Sequence, residues 1–253
     1  MNIILLGLIV LILLFGSAML GMFVRTRLPE HHLNSESKDV LRLAIGIIAT
    51  LCAMVLGLLI STTKVAFDRL NLDLKHSSGQ VLQLDRALAQ YGSETGEIRK
   101  LVKQTYSDSV ELVLSGDESA LAKLESPEKQ AQLDRLPLLI HALSPRDDMQ
   151  RAQQGRALAD LSELSNTRFN NIVQVGGTIP RPLFVVLVFW LAMLSLGFGL
   201  FSPRNLTAAV GLFACSLCLS VALAVLIDLD RPITGVIKVN AVPMRNAISH
   251  LGE

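Results

Sequence analysis

The stretch from Leu43 to Thr63, LAIGIIATLCAMVLGLLISTT, contains no Asp, Glu, Lys or Arg, and it decides how the rest of the chain is read. A helix needs about 20 apolar residues to cross roughly 30 Å of hydrocarbon, and this window has that length. Three more windows free of charge match it: Met1 to Val24, Leu183 to Pro203 and Asn205 to Ile227. Together the four take up about 89 residues. The remaining ~164 carry all 23 Lys+Arg and 22 Asp+Glu, about 27%, the density of an ordinary soluble protein. The 51% hydrophobic content is therefore the average of two different materials spliced into one chain. The pattern predicts four membrane-spanning helices.

The same arithmetic excludes several classes. A net charge of +1, with no dense Lys/Arg run, leaves no basic field for DNA or RNA. Cys52, Cys215 and Cys218 all lie inside apolar windows, where a disulfide framework or zinc site is out of place. The Cys215-x-x-Cys218 spacing lacks the electropositive, partly exposed setting that activates a thiol, so these residues read as small packing side chains. Gly16, Ser17 and Ala18 look like a cleavage region, yet no positive segment precedes them and the apolar run continues to Val24. The first window reads as an uncleaved span.

Four spans divide the chain into a first hairpin (1–63), a middle segment (64–182), a second hairpin (183–227) and a tail (228–253). The N-terminus, middle and tail then share one side of the membrane. Near the span ends that side carries Lys64, Arg69, Lys75, Arg168, Arg181, Arg231, Lys238 and Arg245, against Arg25, Arg27, Lys38, Arg42 and Arg204 on the other. The balance points to a cytoplasmic middle segment under the positive-inside rule, although Arg25 and Arg27 after the first span argue the reverse.

The second span is expected to run on past the membrane. Phe67, Leu70, Leu74, Val81, Leu84, Leu88 and Tyr91 recur at heptad-like spacing, and no proline occurs between Asp39 and Tyr91. A helix of about 50 residues follows, its seam being either a core face within the subunit or a coiled coil between subunits. Breaks are expected at Tyr91-Gly92-Ser93, Leu114 to Asp117, Ser126-Pro127 and Ser144-Pro145. Between them Ile98, Leu101, Val102 and Thr105, then Leu133, Leu136, Leu139 and Ile140, keep helical spacing, with Pro137 predicting a kink or a late start. A last helix from about Asp147 presents Ala157, Leu158, Leu161, Leu164 and Phe169, and ends near Gly176-Gly177. Nothing reads as a strand. The expected fold is an all-α integral membrane protein of four transmembrane helices, with a helical aqueous bundle inserted between spans two and three.

No ionisable group lies within the spans, which disfavours a proton-coupled pump or charged-site transporter. Stripes of small residues stand out instead. The second span has Gly46, Thr50, Ala53, Gly57, Ser61 and Lys64; the fourth has Ala208, Gly211, Cys215, Cys218 and Ala222; the third has Ala192, Ser195, Gly199 and Ser202. Such stripes serve either close helix packing or a pore face. Only the second span's stripe runs into a charge, at Lys64, where an ammonium at a pore mouth attracts anions. Glu30, His31 and His32 could bind a metal, but adjacent histidines do not both face one ion in regular structure and no second cluster completes the set. The loop reads as an interfacial turn, with Asn34 or Ser35 capping the next helix. After the fourth span, Asp228, Asp230, Arg231 and Pro232 form either a solvated helix end or an ion pair with a neighbouring loop. No catalytic constellation and no cofactor motif is present; an enzyme is not expected.

Leu28-Pro29-Glu30-His31-His32, the span end Leu56-Gly57-Leu58-Leu59-Ile60, Leu84-Asp85-Arg86 to Tyr91-Gly92, Val188-Phe189-Trp190, Phe201-Ser202-Pro203-Arg204-Asn205 and Leu229-Asp230-Arg231-Pro232 form a set. As a set they resemble the bacterial bestrophin-like domain family of unknown function, over nearly the whole chain. The resemblance implies kinship with bestrophins, which are oligomeric anion channels with four spans and a helical cytoplasmic region. It carries no pore residue across, because no bestrophin-like neck motif occurs in the second span. The expectation is a homo-oligomeric protein of the bacterial inner membrane, embedded in the lipid bilayer and passing small anions along the second span. The alternative is a non-conducting scaffold or sensor that binds a partner through its helical domain.

Overall fold

A computed structural model describes residues 3–27, 35–116, 126–174 and 179–252. Eight α-helices and no strand occur among them: α1 Ile3–Val24, α2 Ser35–Tyr91, α3 Gly96–Ser115, α4 Pro127–His141, α5 Asp148–Gln174, α6 Arg181–Phe201, α7 Leu206–Leu229 and α8 Val242–His250. Four of these helices, α1, α2, α6 and α7, are long and apolar enough to cross a membrane. Each takes up most or all of one of the four charge-free windows.

The chain divides into two units, Met1–Ala66 with Gly177–Asp230, and Phe67–Gly176 with Arg231–Glu253. In the first, α1 packs on α6 and α7. Its core is built from Val10 and Leu14, Cys52 and Leu59, Leu187, Leu191 and Leu194, and Leu223 and Leu226. The crossing of α1 and α6 is set by small residues. A Cβ placed on Gly199 would lie 1.9 Å from the carbonyl oxygen of Ala18, and one on Gly21 would lie 2.1 Å from that of Leu196. Backbone meets backbone there, and only glycine permits it. Ser195, also buried, disposes of its hydroxyl by donating to the Leu191 carbonyl at 2.9 Å. Between α1 and α7 the Ser220 hydroxyl donates to the Gly7 carbonyl. The tight link from α6 to α7 ends in Asn205, whose side chain accepts from the Ala208 N–H at 2.8 Å and so caps the free N-terminus of α7.

In the second unit, Val81, Leu84, Ala87 and Leu88 of α2 meet Ile98 and Val102 of α3, Leu136 and Ile140 of α4, and Ala157 and Leu161 of α5. Ala247 and Leu251, from the tail, join the same core. A second cluster sets Leu70, Phe67 and Leu74 against Ile233, Val239 and Val113. The heptad-like seam of α2 is thus occupied inside the subunit, which answers the choice left open by its spacing. α2 stops at Tyr91, where Gly92 takes a φ of 140° that a side chain resists, and Thr95 closes the turn by donating to the carbonyls of Leu88 and Gly92 at 2.6 and 2.8 Å. α4 starts at Pro127 and carries Pro137 within it, so the late start does not occur. Proline at a first helical position forfeits an N–H that would be unpaired anyway, which favours the early start.

Candidate functional site

Over its apolar window the 57-residue helix α2 has three different faces, one packed and two exposed. At 100° per residue, Ile45, Ile48, Cys52, Val55 and Leu59 share one face, and these are the residues packed into the first unit's core. Leu43, Ile47, Leu51, Met54 and Leu58 share a second, exposed face of large apolar side chains. Gly46, Thr50, Ala53, Gly57, Ser61 and Lys64 share a third, and all six are exposed. A Cβ on Gly46 or Gly57 would meet nothing within 4 Å. The stripe therefore serves no close packing within the chain. It covers about 27 Å at 1.5 Å per residue, nearly the thickness of the hydrocarbon layer, and ends on the Lys64 ammonium. The Thr50 hydroxyl donates back to the Gly46 carbonyl at 2.9 Å, so it does not stand unpaired on this face.

The other stripes divide. Ser195 and Gly199 are buried, and Gly199 lies in the contact with α1, where a small residue does the packing expected of it. On α7, Gly211, Cys215 and Cys218 are exposed, while Ser216, Ser220, Leu223 and Leu226 face the core. The two α7 thiols are thus not core packing residues; of the three cysteines only Cys52 is buried.

At the end of α7, Asp228 is buried and Asp230 caps the helix. The Asp230 carboxylate accepts from the Ile179 N–H at 3.2 Å, tying this helix end to the residues leading into α6. Arg231 and Pro232 turn the chain, their carbonyls accepting from Gly235 at 2.8 Å and Val239 at 3.1 Å. Pro29, Glu30, His31 and His32 lie outside the described residues, as do the side chains of Arg168, Phe169 and Arg181. No group of three His, Cys, Asp or Glu placed to hold a metal occurs among the described residues.

One polar centre escaped the sequence reading. Asp85 is 5% exposed among the core residues of α2 and receives Arg99 Nε and Nη2 from α3 at 2.8 Å each. Its Oδ2 also accepts from the Gly252 N–H at 3.1 Å, and Lys103 donates to the Leu251 carbonyl at 2.6 Å. Burial pushes the Asp85 carboxyl up, but the hydrogen bonds from Arg99 and Gly252 and the charges of Arg99 and Lys103 outweigh it, holding the carboxyl below its ordinary value. The signal was available: a carboxylate between Val81 and Leu88 in an apolar seam needs a partner, and Arg99 comes one helical hairpin later.

These features coincide with a family-wide match. The bestrophin-like domain family matches residues 12–244. The chain belongs to that family. Its fold is similar to that in a crystal structure of a mutant bacterial bestrophin homologue from Klebsiella pneumoniae, with a TM-score of 0.59 at 16% identity, covering 97% of this chain and 99% of the other. No curated protein matches. The bestrophin-like match takes in the α2 stripe, Asp85 and the Asp228–Pro232 turn, and leaves out only the first turns of α1 and the end of the tail.

Proposed function

We propose that this bestrophin-like chain is one subunit of a homo-oligomeric, passive anion channel of the bacterial inner membrane, with the small-residue face of α2 along the conducting axis. The observation that carries the reading is the separation of the two exposed faces of α2. A helix surrounded only by lipid has no reason to gather its glycines, alanine and hydroxyls on one side and its large apolar residues on another. A face of small side chains and short hydroxyls suits a narrow water path formed when copies of α2 come together around an axis. Lys64 ends that face with a positive charge, which favours anions over cations at the mouth. Four candidate spans free of ionisable residues in their apolar windows fit passive conduction rather than proton-coupled transport. In this arrangement the middle segment, 64–182, is the aqueous domain inserted between spans two and three, on the cytoplasmic side.

The test is flux through purified full-length protein in liposomes. Chloride-dependent flux is expected, and Lys64→Gln is expected to lower it and weaken the preference for anions. An oligomer that carries no anion across a range of pH and calcium would overturn the reading and return the chain to a scaffold or sensor. A solved oligomer whose axis is not lined by α2 would overturn the pore assignment.

A further inference from the structure

Arginines from three separate parts of the first unit gather at one end of its apolar helices. Arg25, just past α1, donates from Nη1 to the Ser202 carbonyl at the end of α6. Arg42, on α2, places its guanidinium carbon 5.8 Å from the ring centre of Phe201, the last residue of α6. Arg204 follows two residues after Ser202 in the link to α7 and is exposed. Arg27 lies 5.4 Å above the Phe23 ring at the same end of α1. Asp39 accepts from Arg42 at 3.4 Å, and Glu36 belongs to the first turn of the same helix. Among the described residues, Arg25, Arg27, Arg42 and Arg204 at this end outnumber the two acids, Glu36 and Asp39.

The surroundings decide what kind of anion fits. Phe23 under Arg27, Leu206 two residues after Arg204, and Val40 and Leu43 on the same stretch of α2 as Arg42 are all strongly exposed, Leu206 at 80%. A surface that is apolar on the membrane side and guanidinium-rich at its rim matches a molecule with a hydrocarbon tail and an anionic head. Aromatic rings hold Arg42 and Arg27 by their faces, which fixes the planar forks at the rim; Arg42 gives one N–H to Asp39, and a guanidinium has further donors for phosphate oxygens. A free inorganic anion would gain nothing from the apolar part.

We infer that the turn Phe201–Asn205, with Arg25, Arg42 and Arg204, is a binding site for the headgroup of an anionic phospholipid. The inference rests on the membrane reading of the first unit and not on conduction. The lipid's phosphodiester sits against the arginines and its acyl chains lie along the exposed apolar side chains of α2 and α7. The short link between α6 and α7, with Asn205 capping α7, keeps Arg204 at this rim.

The experiment uses full-length protein in detergent, supplied with phosphatidylglycerol or phosphatidylcholine, with retained lipid counted by native mass spectrometry. Phosphatidylglycerol is expected to be retained in preference, with a loss of roughly fivefold in affinity for each arginine removed in Arg204→Gln, Arg42→Gln and their double variant. Arg245→Gln, an exposed arginine of the second unit, is expected to leave retention unchanged. Thermal midpoints establish that each variant is folded, and Arg204→Gln removes a side chain that is exposed. Equal retention of the two lipids, or unchanged preference in the folded double variant, would overturn the inference. So would displacement of phosphatidylglycerol by excess inorganic phosphate, which would mark a free-anion site. Retention without ion flux would leave this site standing and remove only the channel; flux without lipid preference would do the opposite.

Discussion

Asp85 and Arg99 face each other across α2 and α3 as a two-pronged pair, both prongs 2.8 Å long, and the same carboxylate holds the Gly252 N–H near the end of the tail. The side chains are 7% and 20% exposed, so solvent screens the pair little. One carboxylate thus joins two helices and the C-terminal segment. Asp85→Ala leaves a guanidinium partly buried without its partner, and a loss of about 3 kcal/mol is expected. Denaturant unfolding in detergent, followed by far-UV circular dichroism, measures it.

The same pair sets a pH dependence. The folded protein holds the Asp85 carboxyl below its ordinary value of 3.8, so the unfolded chain binds the proton first. Its stabilisation is present in full above the ordinary range, and is lost as pH falls from there through the depressed folded value. Wild-type protein is expected to lose stability more steeply than Asp85→Asn below pH 3.8. Parallel curves of thermal midpoint against pH for the two proteins would contradict this.

Glycines of the first unit should respond in opposite ways. Gly199→Ala sets a methyl group against the Ala18 carbonyl at 1.9 Å, a backbone atom that cannot rotate aside. Separation of α1 from α6 and a loss of about 3 kcal/mol or more are expected, read from the unfolding midpoint. Gly57→Ala and Gly46→Ala meet nothing within 4 Å in the chain and should leave that midpoint unchanged or raised. Gly57→Leu should keep the fold but block anion flux, because its side chain enters the proposed axis.

Among the described residues, the buried Thr105 hydroxyl meets no hydrogen-bond partner. Thr105→Val removes an unmet polar group while keeping its shape, so stability is expected to hold or rise by about 1 kcal/mol. A clear fall in the unfolding midpoint would mean that the hydroxyl is paired in the native protein.

Much of this architecture can be read along the chain because its causes are local. A membrane span needs a run without charge, and Leu43 to Thr63 shows it residue by residue. The stop of α2 is equally local: Gly92 alone accepts the backbone angle that follows Tyr91. The candidate stripe was legible as a spacing, since Gly46 to Lys64 keeps to one side of any α-helix whatever surrounds it. Asp85 was visible as a residue out of place in an apolar seam, but its partners lie 14 and 167 positions away, beyond the reach of periodicity.

Sequence by itself determined that four helices are apolar enough to cross a membrane, that α2 continues far beyond its apolar window, and that the small residues fall into stripes. Each of these follows from helical geometry and from the cost of burying charge. Only the tertiary structure decided what each stripe does within the chain. Gly199 and Ser195 look no different in sequence from Gly57 and Ser61, yet Gly199 is pressed against α1 and Ser195 is buried, while Gly57 and Ser61 are exposed. The heptad-like seam of α2 met a choice of the same kind, and α3, α4 and α5 took it up as core. A helix's periodicity fixes which residues share a face, but which neighbour covers that face depends on packing between distant segments, and no local spacing encodes it.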